Sequence, residues 1–295
     1  MFPKAAAAAL LSMCLVTGCS PEAPSDEPLS APVTPSRSPD DSPAVTPSPD
    51  PTPKERNPHV TRRPTWLGKR ILPPGTSGFG QVRPTPPPLR NRRFATIDIL
   101  PRPQQPGFTS TGRAVPDAVL DRSTWRPECP VAPAELTYLT MTFWGFDRER
   151  HTGEMIVHDS VADEVTQVFE RLFEARYPIE EMRVVTLREQ RRWKTHPTGD
   201  TNVTSSFECR EATLGSSWSE HAYGLAIDVN PFHNPYVRGS LVAPELASAY
   251  VTRDERPGII RDGDAVVRAF DAVGWGWGGR WSGLKDYMHF SQSGH

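Results

Sequence analysis

Most of the 33 prolines in this 295-residue chain fall within its first 116 positions, and that asymmetry limits where a core can form. Between Ser20 and Pro116 the sequence is rich in Pro, Ser, Thr and Asp, then in Pro and Arg, with few aromatics and no sustained periodicity. Proline lacks a backbone donor and is excluded from helix interiors and central strands. A stretch so composed buries too little apolar surface to offset its ordering entropy. Residues 19–117 are therefore expected to form a disordered tether, and the fold is assigned to residues 118–295. Roughly 175 residues are enough for one ordinary core.

Charge adds a local feature. The chain is nearly balanced, with 33 Lys+Arg against 35 Asp+Glu. Lys54 to Arg93, however, holds ten Lys/Arg against the single acid Glu55. Such a run is either a solvated disordered stretch or a segment attracted to anionic lipid headgroups or anionic wall polymer. Nothing in the chain resembles a nucleic-acid-binding module, so no nucleic-acid partner is expected.

The chain start bears on compartment. Lys4 precedes an apolar run from Ala5 to Val16, and the segment ends Thr17-Gly18-Cys19. The run is too short to span a bilayer and reads as a signal h-region. The small residues before Cys19 resemble a bacterial lipobox, which implies a signal peptide over residues 1–18 and lipidation of Cys19. An ordinary secretory signal, with Cys19 incidental, is the alternative. In either case the protein is expected outside the cytoplasmic membrane, in the cell envelope. Cys14 leaves with the signal, so Cys129 and Cys209 remain and most simply form a disulfide in an oxidising exterior. Two buried free thiols are the other reading.

Within the globular part, Leu136 to Trp144 reads as a strand. Glu154 to His158 is its expected neighbour, reached through a turn at Thr152-Gly153. Val161, Val165, Val168, Phe169, Leu172 and Phe173 recur at helical spacing, so Ser160 to Arg176 is expected to be an amphipathic helix with Ser160 as its cap. Met182 to Leu187 reads as a weak strand, and Ala265 to Ala272 as a helix stopped by Gly274. Helices and strands mix without βαβ regularity. The class is therefore α+β, a single small domain with a mainly antiparallel sheet and flanking helices.

Two segments carry chemistry: Ser219 to Asp228, and Asp286-Tyr287-Met288-His289. If Gly224 to Asn230 is a strand, Asp228 shares a face with Gly224 and Ala226, which leave room for an ion, while Leu225, Ile227 and Val229 face the core. His221 precedes this strand, and a bend at Tyr223-Gly224 can fold it back over Asp228. Asp286 and His289 are three apart and would point to opposite faces of a regular strand. A kink is expected between them, with Met288 and Phe290 anchoring the core. Three ligands leave a fourth position of a tetrahedral Zn²⁺ open, as in catalytic sites, and one carboxylate is then left over for use as a base.

His221-x6-Asp228 followed by Asp286-x2-His289-Phe290 resembles the M15, or VanY-like, zinc D,D-carboxypeptidases and L,D-endopeptidases that trim peptidoglycan. The likeness extends to Phe143-Trp144-Gly145, Asn202 to Arg210, Ser216 to His221, Asn230-Pro231 and Gly274 to Gly279. It implies an M15/Hedgehog-like fold, zinc on His221, Asp228 and His289, and Asp286 as the base. It further implies that Arg210 lies near the scissile carbonyl or the substrate carboxylate, with Ser219 as a supporting residue. Trp275, Trp277 and Trp281 line a substrate groove or simply pack a tight loop. His151, His158, His196 and His233 lack a ligand-like partner. The implied activity is hydrolysis of peptidoglycan stem peptides by a monomer, most simply as a D-alanyl-D-alanine carboxypeptidase. The alternatives are an L,D-endopeptidase of the same family, or a non-catalytic zinc-containing wall-binding lipoprotein.

Overall fold

The computed structural model describes residues 57–75 and 78–295. The signal segment, Cys19 and the tether up to residue 56 lie outside the described residues. Among the described residues no helix is long and apolar enough to cross a membrane.

The largest sheet is an antiparallel meander of β1 (Ser110–Ala114), β2 (Leu136–Trp144) and β3 (Arg150–His158). β2 pairs with β3 along its whole length, from Leu136 opposite His158 to Trp144 opposite Arg150. Its odd positions Leu139, Met141 and Phe143 enter the main core, while Leu136 and Tyr138 enter a second cluster with Val119, Phe207 and Cys209. The turn lies at Gly145–Glu149, closed by Gly145 N–H donating to the Glu149 carbonyl, with Arg148 at φ +63°. It does not lie at Thr152-Gly153. Gly153 sits mid-strand because a Cβ there would come within 2.4 Å of Met182. That glycine marks a close approach, a role that sequence alone does not separate from a turn.

A short helix α1 (Asp117–Arg122) precedes β2, and α2 (Ala162–Glu174) lies against the large sheet. Val165, Val168, Phe169 and Leu172 of α2 are buried against the main core, each contributing about 1.5–3 kcal/mol by leaving water. Ser160 is not the cap of α2. It belongs to a 3-10 turn at Asp159–Val161, where its N–H donates to His158 Nδ1. Helix α4 (Ala265–Asp271) packs on α2, capped by Asp264 Oδ1, which accepts from Val266 and Val267.

The strand expected over Met182–Leu187 shrinks to β4 (Glu181–Met182), paired in parallel with β5 (Val203–Thr204). Helix α3 (Leu187–Thr195) follows at once, opened by a Thr186/Glu189 capping box. Two small antiparallel sheets complete the fold. One orders β6 (Ala226–Asp228), β11 (His289–Ser291) and β9 (Gly276–Trp277); the other orders β10 (Lys285–Asp286), β7 (Tyr236–Arg238) and β8 (Leu241–Ala243).

The described part of the expected tether, residues 57–75 and 78–117, requires a correction: it is an arm packed on the body. Leu89 and Phe94 are fully buried among Phe232, Leu246 and Tyr250. The Arg92 guanidinium is buried on Glu180 at 2.7 and 2.8 Å and also donates to the Asp200 carbonyl. Thr85 Oγ1 donates to the Leu246 carbonyl, and β1 extends the large sheet. Average composition missed this because three anchors within six residues are enough when the body supplies a surface for them.

Cys129 and Cys209 are joined by a disulfide with Cα atoms 5.8 Å apart. It ties the segment before β2 to the loop that carries Arg210.

Candidate metal centre

The candidate centre is assembled by strand register. β11 pairs antiparallel with β6 so that His289 stands directly opposite Asp228. Asp228 is also bridged to Ser205 by two backbone hydrogen bonds, 2.9 and 3.1 Å, which makes its strand interior and its position fixed. His221 lies on a 3-10 turn, Glu220–Tyr223, whose first free N–H groups are met by Ser219 Oγ accepting from His221 N. Gly224 ends that turn at φ +73°, where a Cβ would meet His158 N at 2.6 Å. Only glycine satisfies both the backbone angle and the contact, and the result folds His221 back over Asp228.

Three ligand atoms converge. His221 Nε2 lies 3.2 Å from His289 Nδ1 and 3.3 Å from Asp228 Oδ2, and His289 Nδ1 lies 3.3 Å from Asp228 Oδ1. The outer ring nitrogens have their own partners. His221 Nδ1–H donates to the Ser206 carbonyl at 2.7 Å, and His289 Nε2–H donates to the His295 carbonyl at 3.3 Å. Those outer bonds set the tautomers, so two imidazole lone pairs and a carboxylate face one another with no donor between them. All three residues are buried. Buried acceptors in that arrangement are costly unless a cation joins them, and the cluster is therefore able to hold a metal ion.

Burial alone would raise the Asp228 carboxyl, but His221 and His289 outweigh it and hold it far below the usual carboxylate range. Burial likewise opposes protonation of His221, and Asp228 overrides it and raises the imidazole.

Asp286 stands beside the cluster on a different strand. β10 ends at Asp286 and β11 begins at His289, and the two strands belong to different sheets. The expected kink is thus a change of sheet across Tyr287-Met288, held by Val229 N–H donating to the Met288 carbonyl and Trp277 Nε1–H to the Tyr287 carbonyl. Phe290 enters the core, stacked 3.8 Å from Phe270. Met288 is buried as expected and also lines the cavity in front of the site. The Asp286 Oδ1 atom is enclosed and has no hydrogen-bond partner among the described residues. Burial, and then the Asp228 charge, push this carboxyl up to about 7. Gly278 packs so close that a Cβ would reach 2.6 Å from the Asp286 carbonyl oxygen, which explains part of the Gly-Trp-Gly-Gly run.

A cavity of about 500 Å³ opens onto Asp228 and Asp286, with Arg210 on its wall. Arg210 Nε donates to Glu208 Oε2 at 3.3 Å, and Glu208 Oε1 accepts from Ser205 Oγ. Glu208 and the Ser206 carbonyl were not anticipated; the loop Ser205–Arg210 carries no periodic signal, and only the pairing of Ser205 with Asp228 places it here. Trp277 does not line the cavity. It is buried in the main core with Trp275, so the expected substrate contact at Trp277 is withdrawn. Trp281 is the member of the trio beside the cluster, its ring 5.4 Å from that of His289. His151 is buried between Asp98 and Asp147, and His233 between Asn202 and the Arg92 carbonyl, so both serve packing networks away from the cluster.

Residues 213–292 match a family model described as D-alanyl-D-alanine carboxypeptidase. The match contains His221, Asp228, Asp286 and His289, and leaves out Arg210 and everything before it. No curated protein and no solved structure matches this chain. Over the stretch that carries the cluster, this chain is similar to the D-alanyl-D-alanine carboxypeptidases, and the match supports an M15-family peptidase.

Proposed function

We propose that the protein is a zinc-dependent peptidase that hydrolyses peptidoglycan stem peptides as a D-alanyl-D-alanine carboxypeptidase. The observation that carries this reading is a three-ligand acceptor cluster whose Asp228 opens onto the same cavity as a fourth, separately mounted carboxylate, Asp286. A purely structural metal site has no use for that extra group.

His221 Nε2, an Asp228 oxygen and His289 Nδ1 would hold the ion. Tetrahedral ligands at about 2.0–2.1 Å from zinc stand about 3.3 Å apart, and the 3.2–3.3 Å spacings here support that choice. When bound, such an ion supplies Lewis-acid polarisation of the scissile carbonyl and acidifies water. Asp286, with an unpartnered oxygen at the cavity, takes the proton as the water oxygen bonds to the carbonyl carbon. It returns that proton to the leaving nitrogen as the C–N bond breaks. The Arg210 guanidinium, steadied by Glu208, faces the same cavity and stabilises the developing oxyanion or holds a terminal carboxylate. Ser219 acts on His221 by fixing its turn.

We place this activity at the outer face of a membrane, anchored through Cys19; the support for that is the lipobox-like sequence at residues 17–19. The test is a defined pentapeptide stem, with products weighed by mass spectrometry. Loss of a single terminal D-alanine, abolished by a chelator and restored by zinc, is the expected result. Asp286→Asn should keep its zinc and lose about 10²–10⁴ in kcat. Equal digestion before and after verified metal removal would sink the metal reading, and internal cleavage of the stem would sink the carboxypeptidase reading alone.

A further inference from the structure

The basic run noted in the sequence gains a partner in the fold. Arg192 Nη2 donates to the Gly68 carbonyl at 2.9 Å, and Leu72 N–H donates to the Pro197 carbonyl at 2.8 Å. These bonds lay the arm segment carrying Lys69 and Arg70 along the C-terminal half of α3. That helix presents Arg188, Arg191, Arg192 and Lys194 to solvent. Its one acid, Glu189, is taken by Arg183 at 2.7 and 3.0 Å.

Lys69, Arg70, Arg188, Arg191 and Arg192 thus form one exposed basic face, the three helix arginines falling on one side of α3 by their i, i+3, i+4 spacing, and none of the five forms an ion pair among the described residues. The chain as a whole carries a slight acidic excess, so this is a local concentration rather than a consequence of a basic protein. Arg70 is further steadied by stacking 4.3 Å over the Trp66 ring. Uncompensated like charges repel one another, a cost that an anionic partner removes.

The other side of α3, with Gln190, Trp193 and Lys194, lines the cavity wall. Ile71 is the one exposed large apolar side chain beside the basic face, too little for membrane insertion. Four of the five are arginines, whose planar forks match phosphate oxygens. We propose that this face binds a linear polyanion whose charges are phosphate groups, holding the cavity close to that polymer.

Binding of the purified full chain to medium-chain inorganic polyphosphate tests this, with poly-glutamate and phosphatidylcholine/phosphatidylglycerol vesicles as the other arms. Expected are binding to polyphosphate that weakens steeply with salt, and weaker binding to the other two. The variant Lys69→Gln/Arg70→Gln/Arg188→Gln/Arg191→Gln should bind about tenfold or more weakly, with small-peptide hydrolysis unchanged. If that variant fails to fold by circular dichroism, the pairs Lys69→Gln/Arg70→Gln and Arg188→Gln/Arg191→Gln decide, each expected about threefold weaker. Absent polyphosphate binding, binding unchanged in the variants, or tighter binding to vesicles or poly-glutamate would each overturn the proposal.

Discussion

Two clusters of buried charge in this protein are built from similar parts and end differently. In the first, Glu180 receives Arg92 and Asn202, Arg92 also reaches the Asp200 carbonyl, and His233 is held between Asn202 and the Arg92 carbonyl. Burial opposes ionisation of Glu180, and Arg92 outweighs it and holds the carboxyl below its usual range. Every charge has its opposite, so the network is closed and fastens the arm to the body. In the second, His221, Asp228 and His289 turn three acceptors toward one another and have their only donors on the outside. A closed network holds structure. An open one calls for a ligand, and that difference, rather than burial or charge, marks the candidate site.

The largest effect expected from breaking the contrast is on the open side. His289→Ala should lose bound metal and about three orders of magnitude or more in activity, measured by metal content and stem-peptide turnover, while the unfolding temperature of metal-free protein changes little. On the closed side the pattern should invert. Glu180→Gln leaves Arg92 buried without its counter-charge and should cost about 3–5 kcal/mol of stability by denaturant unfolding, with metal content intact in the folded fraction.

A pH titration sharpens the contrast further. Burial lowers His233 from its ordinary 6.5 to about 4. The unfolded chain therefore takes up a proton near pH 6.5 that the folded protein refuses until about pH 4. This contribution is fully present above pH 6.5 and is lost as pH falls toward 4, by about 3 kcal/mol. Chemical unfolding across that window should show the slope, and His233→Asn should flatten it. The smallest effect belongs to Ser219→Ala, which removes the cap of the His221 turn. It should cost about 1 kcal/mol and weaken metal retention modestly in a competition with a chelator.

The parts legible in the sequence were those whose signal is local. Strand β2, most of α2 and α4, and the Gly274 stop followed from periodicity and end residues. The segment Ser219–Asp228 followed from a small-residue face beside a carboxylate. Helix α3 was missed although Thr186-x-x-Glu189 announces it, because the short run before it looked strand-like. Gly153 misled because close packing and a turn call for the same residue. The arm misled most, since its Leu89, Arg92 and Phe94 have partners more than eighty residues away.

The sequence alone was sufficient to nominate His221, Asp228, Asp286 and His289, because their types and spacings are a chemical pattern read within two short segments. Only the tertiary structure could set His289 opposite Asp228, give each histidine an outer carbonyl, split Asp286 from His289 onto separate sheets, and seat the Pro-rich arm. Those outcomes depend on register and on surfaces supplied by distant residues. Local propensity encodes neither, since both are settled by which long-range contacts bury the most surface while leaving the fewest polar groups unpaired.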